Sequence, residues 1–178
     1  MKAYYDNVVA SGKTRSDLPP SEMAALQQLE GPKYASMLEV FTSRESWREQ
    51  ERTNDPAVRQ ALRQARPDVP VVPYDHEVFG FSYMPHRYGG FISNPAITDV
   101  TDQPLFDDLR ALGLKDADAR HLMYAVRNGC ERFVTLDRRG FLNRRRRQRL
   151  EARCGGLRIV TPSELLAELV SAMDSVDP

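Results

Sequence analysis

The chain has 178 residues, 41% of them hydrophobic and 28% charged; that suffices for one domain with a sizeable core and is too apolar for a disordered chain. Lys plus Arg and Asp plus Glu each total 25, so the formal net charge is zero, and only local clustering can argue for a polyanionic partner. Cys130 and Cys154 are too few for a disulfide framework and lack metal-ligand spacing, no apolar run nears the ~20 residues that span a bilayer, and in "MKAYYDNVVASG" Asp6 and Asn7 interrupt the apolar run, so a secretory leader is not expected. The expectation is a soluble, cytoplasmic protein with no membrane partner and with reduced, buried cysteines.

"KAYYD" at 2–6 reads as a strand ending on Asp6, and "PPSEMAALQQLE" at 19–30 as a helix with Met23, Leu26 and Leu29 at helical spacing. "KYASMLEV" at 33–40 reads as a brief strand passing into a helix that carries Glu39. Residues 42–66 read as helix with a break at Asn54–Pro56, and "VPVVPYD" at 69–75 as a short strand. The stretch 74–98 is rich in aromatics, Gly and Pro and has no helical period, so an irregular surface loop or hairpin is expected there.

Regular patterns return with helices at 103–114 and 116–129, the second opening on acids and ending at Gly129. "RFVTLD" is a strand, "NRRRRQRLEARCGG" a polar helix stopped by glycines, "LRIVT" a final strand, and "PSELLAELVSAM" a helix begun by Pro162. Strands alternating with helices imply an α/β fold with a parallel sheet covered on both faces.

In such sheets ligands gather outside the carboxyl ends of the strands. Asp6 and Asp137 end predicted strands; Asp118 and Glu39 fall in the first turns of predicted helices that open on the same edge. Each acid alone has a plainer reading. Asp6 and Asp137 would cap a turn or helix, Glu39 would lie on a solvated helix face, and Asp116 and Asp118 would complement a helix dipole, Asp116 as its N-cap. Four carboxylates converging from separate segments would repel one another unless a cation compensates. Acids without nearby His or Cys suit a hard ion, Mg²⁺ or Mn²⁺. Such an ion polarises a phosphoryl oxygen and can make a bound water nucleophilic, the chemistry of phosphodiester hydrolysis.

The stretches "YYDNVV", "ASMLEV", "KDADARHLMYAVRNGCERFVTLDRRGF" and "LRIVTPSEL" together resemble the PIN-domain ribonucleases, of the kind found among VapC-like toxins of toxin–antitoxin pairs. The third stretch carries the most specific match: an Asp, Ala125 seven residues later, then an apolar strand ending in Thr-x-Asp. The resemblance implies a three-layer α/β/α sandwich, a metal-dependent endoribonuclease, an antitoxin partner and a homodimer. By motif register it implies catalytic and metal-binding roles for Asp6, Glu39, Asp118 and Asp137. Asn7 stands where the family usually has Thr or Ser, and residues 45–98 are longer than compact members need.

Around this core, Asn7, Thr135 and Asp116 are candidates to hydrogen-bond the ligand carboxylates. The arginines at 138, 139, 144–147, 149 and 153 form the densest charge cluster and begin directly after Asp137. A solvated helix face is the plain reading. Phosphate neutralisation is the functional one, with Arg138, Arg139, Arg144 and Arg145 as candidate RNA contacts. Tyr74, Phe79, Phe81, Tyr83, Tyr88 and Phe91 are read as packing an irregular loop before stacking bases. His76, His86 and His121 form no ligand pattern, and His121 is read as a packed helix histidine. Two rival readings stand beside the nuclease: a non-catalytic RNA-binding or regulatory module, and a phospho-accepting signalling domain. The second lacks paired acids on the first strand and a lysine near the last.

Overall fold

The structure, a computed structural model, describes residues 1–11, 19–57, 59–60, 69–79 and 96–175. Strand β1 (Lys2–Tyr5) sets the layering, because its side chains alternate between two apolar layers. Tyr4 joins one layer, while Ala3 and Tyr5 join the other.

After β1 come α1 (Asn7–Ala10), α2 (Pro20–Leu29) and α3 (Pro32–Ala35), then β2 (Glu39–Phe41) and α4 (Arg44–Glu51). A two-stranded antiparallel pair follows, β3 (Glu77–Phe79) with β4 (Ala96–Thr98). Helices α5 (Gln103–Ala111) and α6 (Asp116–Arg127) lead to β5 (Arg132–Val134), α7 (Arg144–Arg153), β6 (Arg158–Val160) and α8 (Pro162–Asp174). The main sheet has the order β2-β1-β5-β6, and each neighbouring pair is parallel. Parallel neighbours need crossover helices, which cover both faces of the sheet.

On one face Tyr4 stacks on Phe133 with ring centroids 5.5 Å apart and an interplanar angle of 8°. Ile159 continues that row, and Leu109, Leu122 and Leu150 close over it from α5, α6 and α7. On the other face Tyr5, Val134 and Val160 meet Leu26 and Leu29 of α2 and Leu165 and Leu169 of α8. Each fully buried side chain of this size contributes about 1.5–3 kcal/mol. Helix α8 begins with a full capping box: Thr161 accepts the Glu164 N–H, and Glu164 accepts the Thr161 N–H.

Three sequence expectations are corrected. Residues 33–40 are not strand-then-helix: Pro32, pre-set for a first helical position, starts the turn α3, and the strand comes afterwards with Glu39 as its first residue. "VPVVPYD" contributes one parallel bridge, Val71 to Thr42, rather than a strand. Helix α4 ends at Glu51, earlier than the expected break at Asn54–Pro56. In the 74–98 stretch the flanks pair as β3 and β4, with Val78 opposite Ile97. Phe81, Tyr83, His86, Tyr88 and Phe91 lie outside the described residues.

Candidate functional site at the carboxyl edge of the sheet

Asp6 follows the last residue of β1, and its N–H extends the ladder to the Val134 carbonyl of β5 at 3.1 Å. It caps α1: Oδ1 accepts the Val9 N–H at 2.9 Å. Its other oxygen, Oδ2, accepts the Thr135 hydroxyl. Thr135 is fully buried, and its Oγ1 also accepts the Asp137 N–H at 3.1 Å. One hydroxyl therefore connects the carboxylate after β1 to the backbone after β5.

Asp137 folds back on its own turn, where Oδ1 accepts the N–H groups of Arg139 and Gly140, each at 2.9 Å. Gly140 leaves room for this carboxylate orientation, because a Cβ there would run into the Asp137 carboxylate and displace it. The following helix, α7, is capped by Asn143 rather than by Asp137.

Helix α6 runs antiparallel to β5, so its first turn opens on the same edge and brings Asp118 there. Asp116 does not serve as N-cap; Lys115 occupies that position and no side chain caps the helix. Arg110 takes the Asp116 carboxylate at 2.7 Å, which directs it to α5 and out of the acid group.

Glu39 is the other correction. It opens β2 and pairs in register with Lys2, the first residue of β1. Both lie at the amino end of the strands, opposite Asp6. Glu39 is exposed there, and the strand's length separates it from the other three acids.

A different glutamate reaches them. Helix α4 packs against α1 and α6, anchored by Glu45, which is 1% exposed and takes Arg120 of α6 at 3.2 Å. One turn further on, Glu49 lies 3.1 Å from Nε2 of His121. The imidazole is buried, and its Nδ1 lies 2.6 Å from the Tyr4 hydroxyl, which in turn donates to Ser43 Oγ at 2.6 Å. Burial pushes the Tyr4 hydroxyl far above its ordinary pKa, so it is a neutral partner in this chain. Neither Glu45 nor Glu49 stood out in "RESWREQE". Their signal was i,i+4 spacing on a helix that follows a strand, which puts both on one face.

The charges at this edge act on one another. Asp6 is pushed up to about 6, chiefly by burial and further by Glu49, against the hydrogen bonds from Thr135 and Val9 and the influence of His121. Asp118 is also raised, by burial first and then by Glu49 and Asp137, with His121 and Lys115 opposing. Glu49 thus acts on both Asp6 and Asp118, and Asp137 acts on Asp118. The Asn7 amide oxygen beside Asp6 is buried without a hydrogen-bond partner, a further oxygen donor left over in the fold.

This donor set is all oxygen, mutually repelling and partly buried, the chemistry of a hard divalent cation. Among the described residues, no group of three His, Cys, Asp or Glu side chains is placed to hold a metal ion. Mg²⁺ does not need such a cage, because it keeps several waters and takes one or two carboxylates with substrate phosphates.

Both cysteines are free and buried, and burial pushes their thiols up to about 11 for Cys130 and about 12 for Cys154. They line a cavity of about 620 Å³ beside the amino ends of β5 and β6, the edge opposite the acids.

Compared with protein-family models, with curated proteins and with solved structures, the chain gives no match. No helix among the described residues is long and apolar enough to cross a membrane.

Proposed function

We propose that the carboxyl edge of the sheet is the site of a divalent-cation-dependent endoribonuclease of PIN type. The reading rests on one observation above all: Asp6, buried to 5% exposure at the end of β1 and raised to about 6, lies in the field of the Glu49 carboxylate. Burying an acid among acids is destabilising, and such perturbed groups concentrate at functional sites.

In this reading Asp6, Asp118 and Asp137 hold Mg²⁺ or Mn²⁺ directly or through water, and Glu49 takes the part that the resemblance gave to Glu39. A cation bound there neutralises the acids, polarises a phosphoryl oxygen and lowers the pKa of water. The chain's own residues supply position. Thr135 fixes the Asp6 carboxylate and the Asp137 backbone, the Gly140 turn orients the Asp137 carboxylate, and His121 orients Glu49. The arginines after Asp137 neutralise RNA phosphates. The toxin role, with an antitoxin and a homodimer, follows from the resemblance; an adjacent small reading frame for a DNA-binding protein would support it.

The test is cleavage of a fluorophore–quencher RNA in Mn²⁺ and in EDTA, by wild type and Asp6→Asn. Mn²⁺-dependent cleavage that Asp6→Asn largely abolishes supports the reading. Equal rates for the two proteins overturn the role of Asp6. The lack of a three-residue ligand group among the described residues favours a second reading, an RNA-binding module without chemistry. That protein would bind RNA in a salt-sensitive manner and leave it intact with Mn²⁺ present.

A further inference from the structure

Helix α7 breaks a local rule. Its first four positions are Arg144, Arg145, Arg146 and Arg147, with no acid in the first turn, although cations there oppose the helix dipole. Residues that violate a local preference without internal compensation concentrate where a ligand compensates them. Only part of this charge is answered within the fold. Arg147 is paired with Glu151 and Glu164. Arg146 reaches back to the carbonyls of Arg139 and Gly140 at 3.1 and 3.5 Å, which joins α7 to the turn that holds Asp137. Among the described residues, no carboxylate lies within ion-pair distance of Arg144, Arg145 or Arg149, and all three are exposed.

The exposed row ends at a shallow, open depression. Arg149 lines a groove of about 480 Å³ between α5 and α7, with Ala111, Leu112 and Ala152 as its apolar floor. The acid in that groove, Asp108, is taken by Arg153 at 2.6 Å, so it does not answer Arg149. Charge complementarity suits this surface to a polyanion, with phosphates on the unpaired arginines and the small apolar side chains beside Leu112 leaving room for the strand.

We propose that a single strand of RNA leaves the acid edge over Arg144 and Arg145 and enters the α5–α7 groove at Arg149. The strand-binding surface is then separate from the acids that act on the phosphodiester. This rests on the nuclease reading only for the direction of travel, and binding is measured without it.

The experiment is fluorescence anisotropy in EDTA with labelled oligouridylates of about twelve and about three nucleotides, over a range of salt. The variants are Arg145→Gln, Arg149→Gln and, as a control, Arg158→Gln, whose guanidinium Glu168 holds at the opposite edge. Expected results are about fivefold weaker binding of the long strand by Arg145→Gln and by Arg149→Gln, with the salt slope smaller by about 0.7 for each. Arg149→Gln should bind the short strand as wild type does, and Arg158→Gln should match wild type throughout. Wild-type binding of the long strand by Arg149→Gln overturns the groove. So does displacement of RNA by polyglutamate as readily as by unlabelled RNA, which would assign the surface to an acidic protein. Cleavage with Mn²⁺ is followed in parallel. Arginine-dependent binding without cleavage keeps the groove and rejects the nuclease, whereas cleavage with arginine-independent binding does the reverse.

Discussion

The Thr135 hydroxyl donates to the carboxylate of Asp6 from the neighbouring strand, across a fully buried contact. The same oxygen accepts the Asp137 N–H, so the positions of two acids depend on one side chain. Its hydrogen bond also lowers the Asp6 pKa, against the larger effect of burial.

Thr135→Val keeps the shape and removes both bonds. The folded state should lose about 1–3 kcal/mol in urea unfolding, since a buried carboxylate oxygen and a part-buried N–H lose their partners. The Asp6 carboxyl should also titrate above its present value of about 6, read by NMR of the labelled side chain. Unchanged stability and titration would separate Thr135 from the site.

Asp6 gives the metal-free protein a pH dependence. It holds its proton to about 6 in the fold against 3.8 ordinarily, so the folded state binds more protons between those values. Stability therefore falls as pH rises from about 4 to 6 and the loss is complete above that range. Asp6→Asn should remove the loss, making the metal-free protein more stable than wild type by on the order of 1–3 kcal/mol at pH 7.5 and nearly equal to it at pH 4. Urea unfolding at both pH values is the check; equal stability at pH 7.5 would mean that Asp6 is not strained by its surroundings.

Glu39 and Glu49 separate by activity. Glu39→Gln, at the amino end of β2, should cleave RNA as wild type does. Glu49→Gln should lose most of the rate and need more Mn²⁺ for half-maximal activity, and Glu49→Asp should recover part of it. The reverse pattern would restore the register drawn from the resemblance.

Gly140→Ala places a methyl group where the Asp137 carboxylate lies. The carboxylate must swing away, so Mn²⁺-dependent activity should fall at least about tenfold while circular dichroism and the apolar cores stay unchanged. An unimpaired variant would show that the orientation of Asp137 is irrelevant.

Much of this architecture is legible in the chain because the signals are local. Strands β1, β5 and β6 are short apolar runs buried on both faces, Pro162 and the Thr161–Glu164 capping box begin α8, and Gly129 follows α6 with the positive φ of 66° that glycine tolerates best. The features that differ from the sequence expectation depend on distant partners. β2 is a three-residue edge strand whose register comes from pairing with β1, so "ASMLEV" alone could not say whether Glu39 begins or follows it. Asp116 and Asp118 are equivalent by spacing until Arg110 takes one of them. Glu45 and Glu49 look like solvated charges in "RESWREQE"; their burial and orientation come from Arg120 and His121, more than seventy residues away.

The central claim is that Asp6 and its neighbouring acids take a divalent cation in common, and anomalous diffraction from crystals grown with Mn²⁺ tests it most directly. A Mn²⁺ peak in coordinating range of the Asp6 carboxylate and of at least one of Asp118, Asp137 and Glu49 is the result expected. An anomalous map with no peak at that edge, or with Mn²⁺ bound only at Glu39 or elsewhere on the surface, would contradict it.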